Sequence, residues 1–166
     1  MHTLIQNIRY GRWANLALLD AASALDQHAF TKILGGSFPS IHQALVHILW
    51  AESLWLQRWR GGSFAGALDP DAFPTSESLR LAFEAVHANQ LNWLSGLPPS
   101  AAEQLVTYVN FQGQPWTYAL RNMVQHLVVH SAFHRGQVAS MLRRLGAVPP
   151  HTDFLVFIDV LVENRS

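Results

Sequence analysis

Residues 119–145 read ALRNMVQHLVVHSAFHRGQVASMLRRL, and this stretch decides the fold class. Its apolar residues, with Leu127, Val128, Val129, Phe133 and Val138 at the centre, suit a helix with a buried face. Gly146 supplies a C-terminal stop and Pro149-Pro150 forbid continuation, so the pattern predicts a helix from about Ala119 to Leu145. Working outward, three further long helical segments can be read. The first runs from about Thr3 to about Phe30, with Leu4, Ile8, Ala14, Leu18 and Leu25 at helical spacing, and Gly11 does not end it. Gly35 to Ser40 breaks the chain, and Ser37 or Ser40 caps a second segment that runs to about Trp59. That segment is apolar on nearly all faces, the mark of a helix buried in a core or an interface.

Arg60 to Pro74, with three glycines and two prolines, reads as a loop. Thr75 is a good N-cap for a third segment, with Glu77 in its first turn and an end near Gly96. From Leu105 to Tyr118, β-formers alternate around Gln112-Gly113-Gln114, which predicts a short β-hairpin before the fourth helix. An isolated hairpin is marginal, so it must lie against the helices. Thr152-Asp153 caps a short, apolar C-terminal helix ending near Val162. No repeat and no shift in composition divides the chain. Residues 1–166 therefore read as one all-α domain, a four-helix bundle.

Composition narrows the function classes. Of 166 residues 49% are hydrophobic and only 13% charged, with eleven basic and eleven acidic side chains. Disorder is excluded by that balance, and no basic stripe is available for nucleic acid. A net charge of zero also leaves little electrostatic barrier to self-association. Cysteine is absent, which excludes disulfides, thiolate metal ligands and a cysteine nucleophile. The longest charge-free run, Ile33 to Ala51, is broken by Gly35, Gly36 and Pro39 and is no membrane span. Met1 to Tyr10 has no apolar signal core, so a cytoplasmic location is expected.

Nine histidines are the informative feature. His126, His130 and His134 recur at four-residue steps, each step rising about 6 Å and turning about 40°, so neighbours can converge on one ion. The outer two stand about 12 Å apart, too far to share one tetrahedral site easily. Spacing alone leaves two pairs open, 126 with 130 or 130 with 134. A third ligand must come from elsewhere: His42 and His47 on the second segment are candidates, and Glu52 is the nearest acid. Gly136 costs about 1 kcal/mol in a helix relative to alanine, which points to a close approach by a helix or ligand. Trp13, Trp50, Trp55 and Trp59 read as core or dimer interface rather than a substrate cage.

The string His130-Ser-Ala-Phe-His134-Arg135-Gly136-Gln137 resembles the H-x-x-x-H-R-G-Q signature of the DinB/YfiT-like family of metal-binding four-helix bundles. Tyr10-Gly-Arg-Trp13-Ala-Asn15 resembles that family's first-helix segment. Ser40 to Glu52 is similar to the block carrying its remaining metal histidine. Gln112 to Pro115 and Thr152 to Phe154 resemble its pre-helix turn and its tail, so the likeness spans almost the whole chain. Gly11 is a minor departure from the family pattern.

The resemblance implies an up-down-down-up bundle with one long crossover, frequent homodimers, and three metal ligands: His47, His130 and His134. His126 then becomes a neighbour of the ligands, and His42 a surface residue or another neighbour. Glu52, Arg135 and Gln137 are further candidates for side chains that support the ligands. Arg135 and Gln137 have two readings, as groups that orient bound water or an anionic substrate or as partners of a carboxylate and a ring nitrogen.

Three neutral imidazoles leave at least one position on a divalent ion open, which is the pattern of catalytic rather than closed structural sites. Zinc or nickel is the expected ion. No acid follows His130, so the glutamate base of an H-E-x-x-H site is missing. The resemblance also implies thiol-dependent transferase chemistry. The expectation is a metal-dependent enzyme, S-transferase-like or hydrolase-like, that activates a low-molecular-weight thiol or water. The other reading is a non-catalytic metal-binding dimer of a stress response.

Overall fold

A computed structural model of the chain describes residues 1–62 and 66–163, the last two by backbone only. Residues 63–65 of the expected loop and 164–166 of the expected domain lie outside the described residues. The elements are α1 (His2–Ser23), α2 (Gln27–Thr31), α3 (Ile41–Trp59), α4 (Ser76–Ser95), β1 (Leu105–Val109), β2 (Pro115–Ala119), α5 (Leu120–Arg144) and α6 (Phe154–Glu163). Ser40 caps α3 by accepting from the Gln43 amide, and Thr75 caps α4 with a reciprocal Ser78 contact. Gly146, at φ +78°, ends α5 as expected.

The first segment is not one helix. Asp26 takes an extended backbone, and its carboxylate accepts from the Ala29 amide at 2.7 Å. A short polar side chain offers the backbone this alternative to continuing the helix, so the chain stops at Ser23 and restarts at Gln27.

The packing fixes the topology. Asp20 near the end of α1 pairs with Arg80 at the start of α4, so these helices are antiparallel. His42 bonds the Phe73 carbonyl just before α4, whereas Trp59 stacks on Trp93 near its end, so α3 and α4 run parallel. Trp55 meets His126 and His47 meets His134, which makes α3 and α5 antiparallel. The result is an up-down-down-up bundle, in which α1 and α3 each pack against both α4 and α5. Leu18, Leu19, Leu45, Ile48, Phe83, Leu94, Met123 and Leu142 fill the space between them. Each such side chain contributes about 1.5–3 kcal/mol on burial.

Two small additions close the ends. β1 and β2 form the antiparallel hairpin, pairing Tyr108 with Trp116, and Gly113 takes φ +77° at its tip. Asn110 Oδ1 accepts from the Gln112 and Gln114 amides, both at 2.9 Å, and so shapes the turn. Tyr108 points inward, edge-on to Trp55 at 5.6 Å, and docks the hairpin on the bundle. α6 lays Phe157 against Tyr10 and Trp13 of α1. Among the described residues no helix is long and apolar enough to cross a membrane.

Candidate metal centre

His130 and His134 lie one turn apart on α5, and His47 reaches them from the facing, antiparallel α3. All three are partly buried, and one nitrogen from each lies within 4.8 Å of the others. His130 Nε2 and His134 Nε2 are 3.2 Å apart. Two nitrogens at about 2.0–2.1 Å from one tetrahedral ion would stand about 3.3 Å apart, so the pair needs almost no movement to share it. The donor set therefore fits a divalent ion. Among the described residues it includes no carboxylate and no fourth histidine.

The surroundings prepare the imidazoles. Gln137 Oε1 lies 2.7 Å from His134 Nδ1 and accepts its proton, which leaves the lone pair on Nε2. Burial, and after it the neighbouring His134, His47 and His126 rings, push His130 down to about 4. Burial, then His134, also lowers His47. At neutral pH both imidazoles are therefore neutral and would need to release no proton to take up a metal ion. His130 Nδ1 is buried without a hydrogen-bond partner. Phe38 covers the group on one side, 4.9 Å from His47 and 5.3 Å from His134 between ring centres.

Behind this cluster lies a polar network that sequence spacing did not reveal. Glu52, only 2% exposed, receives hydrogen bonds from Asn15 (3.0 Å), Gln90 (2.8 Å) and Ser131 (3.1 Å). Arg135 bonds Asn15 Oδ1 at 3.0 Å and the Tyr10 hydroxyl at 3.2 Å, and that hydroxyl donates to the Thr152 carbonyl. A buried carboxylate and a buried guanidinium are thus joined through one amide, tying α1, α3, α4, α5 and the tail together. Ser131 adjoins His130 in the chain, so the network holds the α5 turn that carries His130 and His134.

The other candidates separate cleanly. Gln137 bonds the His134 ring directly, whereas Arg135 bonds Asn15 and Tyr10 and, among the described residues, forms no ion pair with a carboxylate. Glu52 also faces the core. His126 stacks 6.1 Å from His130 without joining the group. His42 corrects the sequence reading: it is neither on the surface nor beside the ligands, but is buried and bonded to the Phe73 carbonyl at 2.8 Å. The i,i+5 offset from His47 turns it to another face of α3. Gly136 departs from expectation too. Among the described residues no neighbour lies within 4 Å of where its Cβ would stand, so none of them requires a glycine there.

The fold and site together define a four-helix bundle whose second and fourth long helices present a three-imidazole cluster compatible with metal binding. The chain belongs to the DinB family, whose sequence model matches residues 1–165. It is similar to Protein DinB of Bacillus subtilis (strain 168), with 23% identity over 162 residues that cover 90% of each chain. It also resembles the crystal structure of a DinB-like protein from Bacillus cereus ATCC 10987, at TM-score 0.73 and 16% identity, over 91% of this chain and 96% of that one.

Proposed function

We propose that His47, His130 and His134 bind a divalent ion, zinc or nickel, and that the protein is a metal-dependent enzyme acting on a small thiol or on water. The observation that carries this reading is the donor set itself: three imidazoles gathered within 4.8 Å with no carboxylate among them in the described residues. An ion held this way keeps its full charge and an open position, and lowers the pKa of a bound water or thiol. The chain's own contribution is orientation and exclusion of water. Gln137 fixes the His134 tautomer, the Glu52 network holds the α5 turn, and Phe38 and Trp50 flank the His47 ring.

Cobalt-loaded protein tests this. Titration with 2-mercaptoethanol should give a saturable near-ultraviolet charge-transfer band, which can come only from the added thiol because the chain has no cysteine. His134→Ala should lose the band. Absence of a band at every thiol concentration would overturn the thiol reading, and turnover with an electrophile panel then separates an enzyme from a non-catalytic metal-binding dimer.

The protein is further proposed to be a homodimer. Val129 and Phe133 on α5 are 61% and 66% exposed, and Gly136 continues the same stripe with open space above it. Such a stripe admits a close second helix. Sedimentation at tens of micromolar should give about twice the 18.6 kDa chain mass, and Phe133→Asp should give the single chain. A wild-type monomer contradicts the proposal.

A further inference from the structure

A cavity of about 540 Å³ opens between the C-terminal half of α3, the N-terminal half of α5 and the hairpin. That size suits a small organic ligand. Trp55, Tyr108 and Met123 form its buried floor, and Phe111, Trp116 and Tyr118 its exposed rim. Sequence reading assigned Trp55 to the core or an interface. It is largely buried, but it also lines this cavity.

Arg58 is the unusual member. Only 7% of it is exposed, yet its guanidinium forms no hydrogen bond and no ion pair among the described residues, and its Nε is buried without a partner. Its guanidinium carbon instead lies 4.3 Å from the Tyr108 ring centre, 4.8 Å from Trp55 and 5.2 Å from Phe111. Ring faces offset part of the cost of burying a cation, but they leave its planar fork of donors unused. A guanidinium in this setting is matched by a planar anion, above all a carboxylate that takes two parallel hydrogen bonds. His126 also lines the cavity and stacks 6.1 Å from His130, which connects the cavity to the histidine cluster.

We infer that this cavity binds a small carboxylate with a flat apolar body, its charge on Arg58 and its body among Trp55, Tyr108 and Trp116. Its assignment as the substrate site of the histidine cluster rests on the metal reading above; the binding itself does not. The two are tested separately. In chelator-treated protein, 2-naphthoate should quench tryptophan fluorescence saturably and bind at least about tenfold more tightly than neutral 2-naphthamide, the lower end of what hydrogen bonds to a charged group contribute. Arg58→Met should erase the difference while leaving the amide's affinity unchanged, and Arg58→Lys should restore part of it. Circular dichroism melts verify folding. Trp116→Ala, on the exposed rim, should weaken both probes without unfolding the chain. Equal affinities, no effect of Arg58→Met, or no binding at all, as when a second copy covers the rim, would overturn the proposal. For the substrate assignment, bound cobalt should broaden the naphthoate proton resonances in wild-type protein but not in metal-free His47→Ala. Cobalt and naphthoate bound together without broadening would overturn that assignment, whereas failure to bind cobalt counts against the metal reading alone.

Discussion

Alanine at His47, His130 or His134 is expected to abolish stoichiometric zinc or nickel binding, a loss larger than the roughly 10–100-fold seen when a ligand's supporting partner is removed. Each of these rings supplies one of three nitrogens gathered within 4.8 Å, and among the described residues no further donor joins the group. His126→Ala and His42→Ala should retain the ion, because the first ring only stacks beside His130 and the second bonds the Phe73 carbonyl. Gln137→Ala should fall between, since it frees the His134 tautomer without removing a ligand. Titration of chelator-treated variants measures all of these. Loss of binding in His126→Ala alone would reassign the site to the other i,i+4 pair.

Glu52→Leu is expected to lower stability by about 3–5 kcal/mol, the usual cost of removing one partner from a buried charged network. Against a total of about 5–15 kcal/mol for a domain, this is a large fraction. The loss has two parts. Donors from Asn15, Gln90 and Ser131 are orphaned, and Arg135 keeps its charge with no buried carboxylate to balance it. Urea denaturation at neutral pH measures the difference, and a loss below about 1 kcal/mol would show that the network is dispensable.

The pH dependence carries the same signature. Burial pushes the Glu52 carboxyl up, but the buried His87 ring of α4, whose Nε2 lies 4.0 Å from Glu52 Oε1, together with Gln90 and Asn15 outweighs it and leaves the group below its ordinary 4.5. A carboxyl lowered in the folded state stabilises it above the unfolded pKa and loses that contribution as pH falls through the folded one. The stability gap between wild type and Glu52→Gln should therefore hold at neutral pH and narrow below 4.5.

Much of this protein is legible in the chain. Helix limits follow from Ser40, Thr75 and Gly146, whose cap chemistry is local, and the hairpin follows from alternation around Gly113. The one boundary misread, at Asp26, is also local: an aspartate carboxylate competes for the backbone amides, and apolar spacing conceals it. The His130–His134 step was readable because helix geometry brings i and i+4 together.

The third position was not readable from spacing. His42 and His47 are equivalent as candidates in a helix apolar on nearly every face, and only the resemblance to a known family favoured His47. Packing decides between them, because the antiparallel crossing of α3 and α5 brings His47 to the α5 pair and turns His42 toward Phe73. Glu52, Asn15, Gln90 and Arg135 are separated by tens of residues, and each looks like an isolated polar residue until the helices assemble. The same holds for Arg58, whose aromatic neighbours come from both α3 and the hairpin. The elements, most of their ends and the pairing of His130 with His134 could be read along the chain, since those depend on periods and caps within a few residues. The third histidine, the buried charge network and the Arg58 cavity were decided by tertiary structure, because each depends on which faces of separate helices meet.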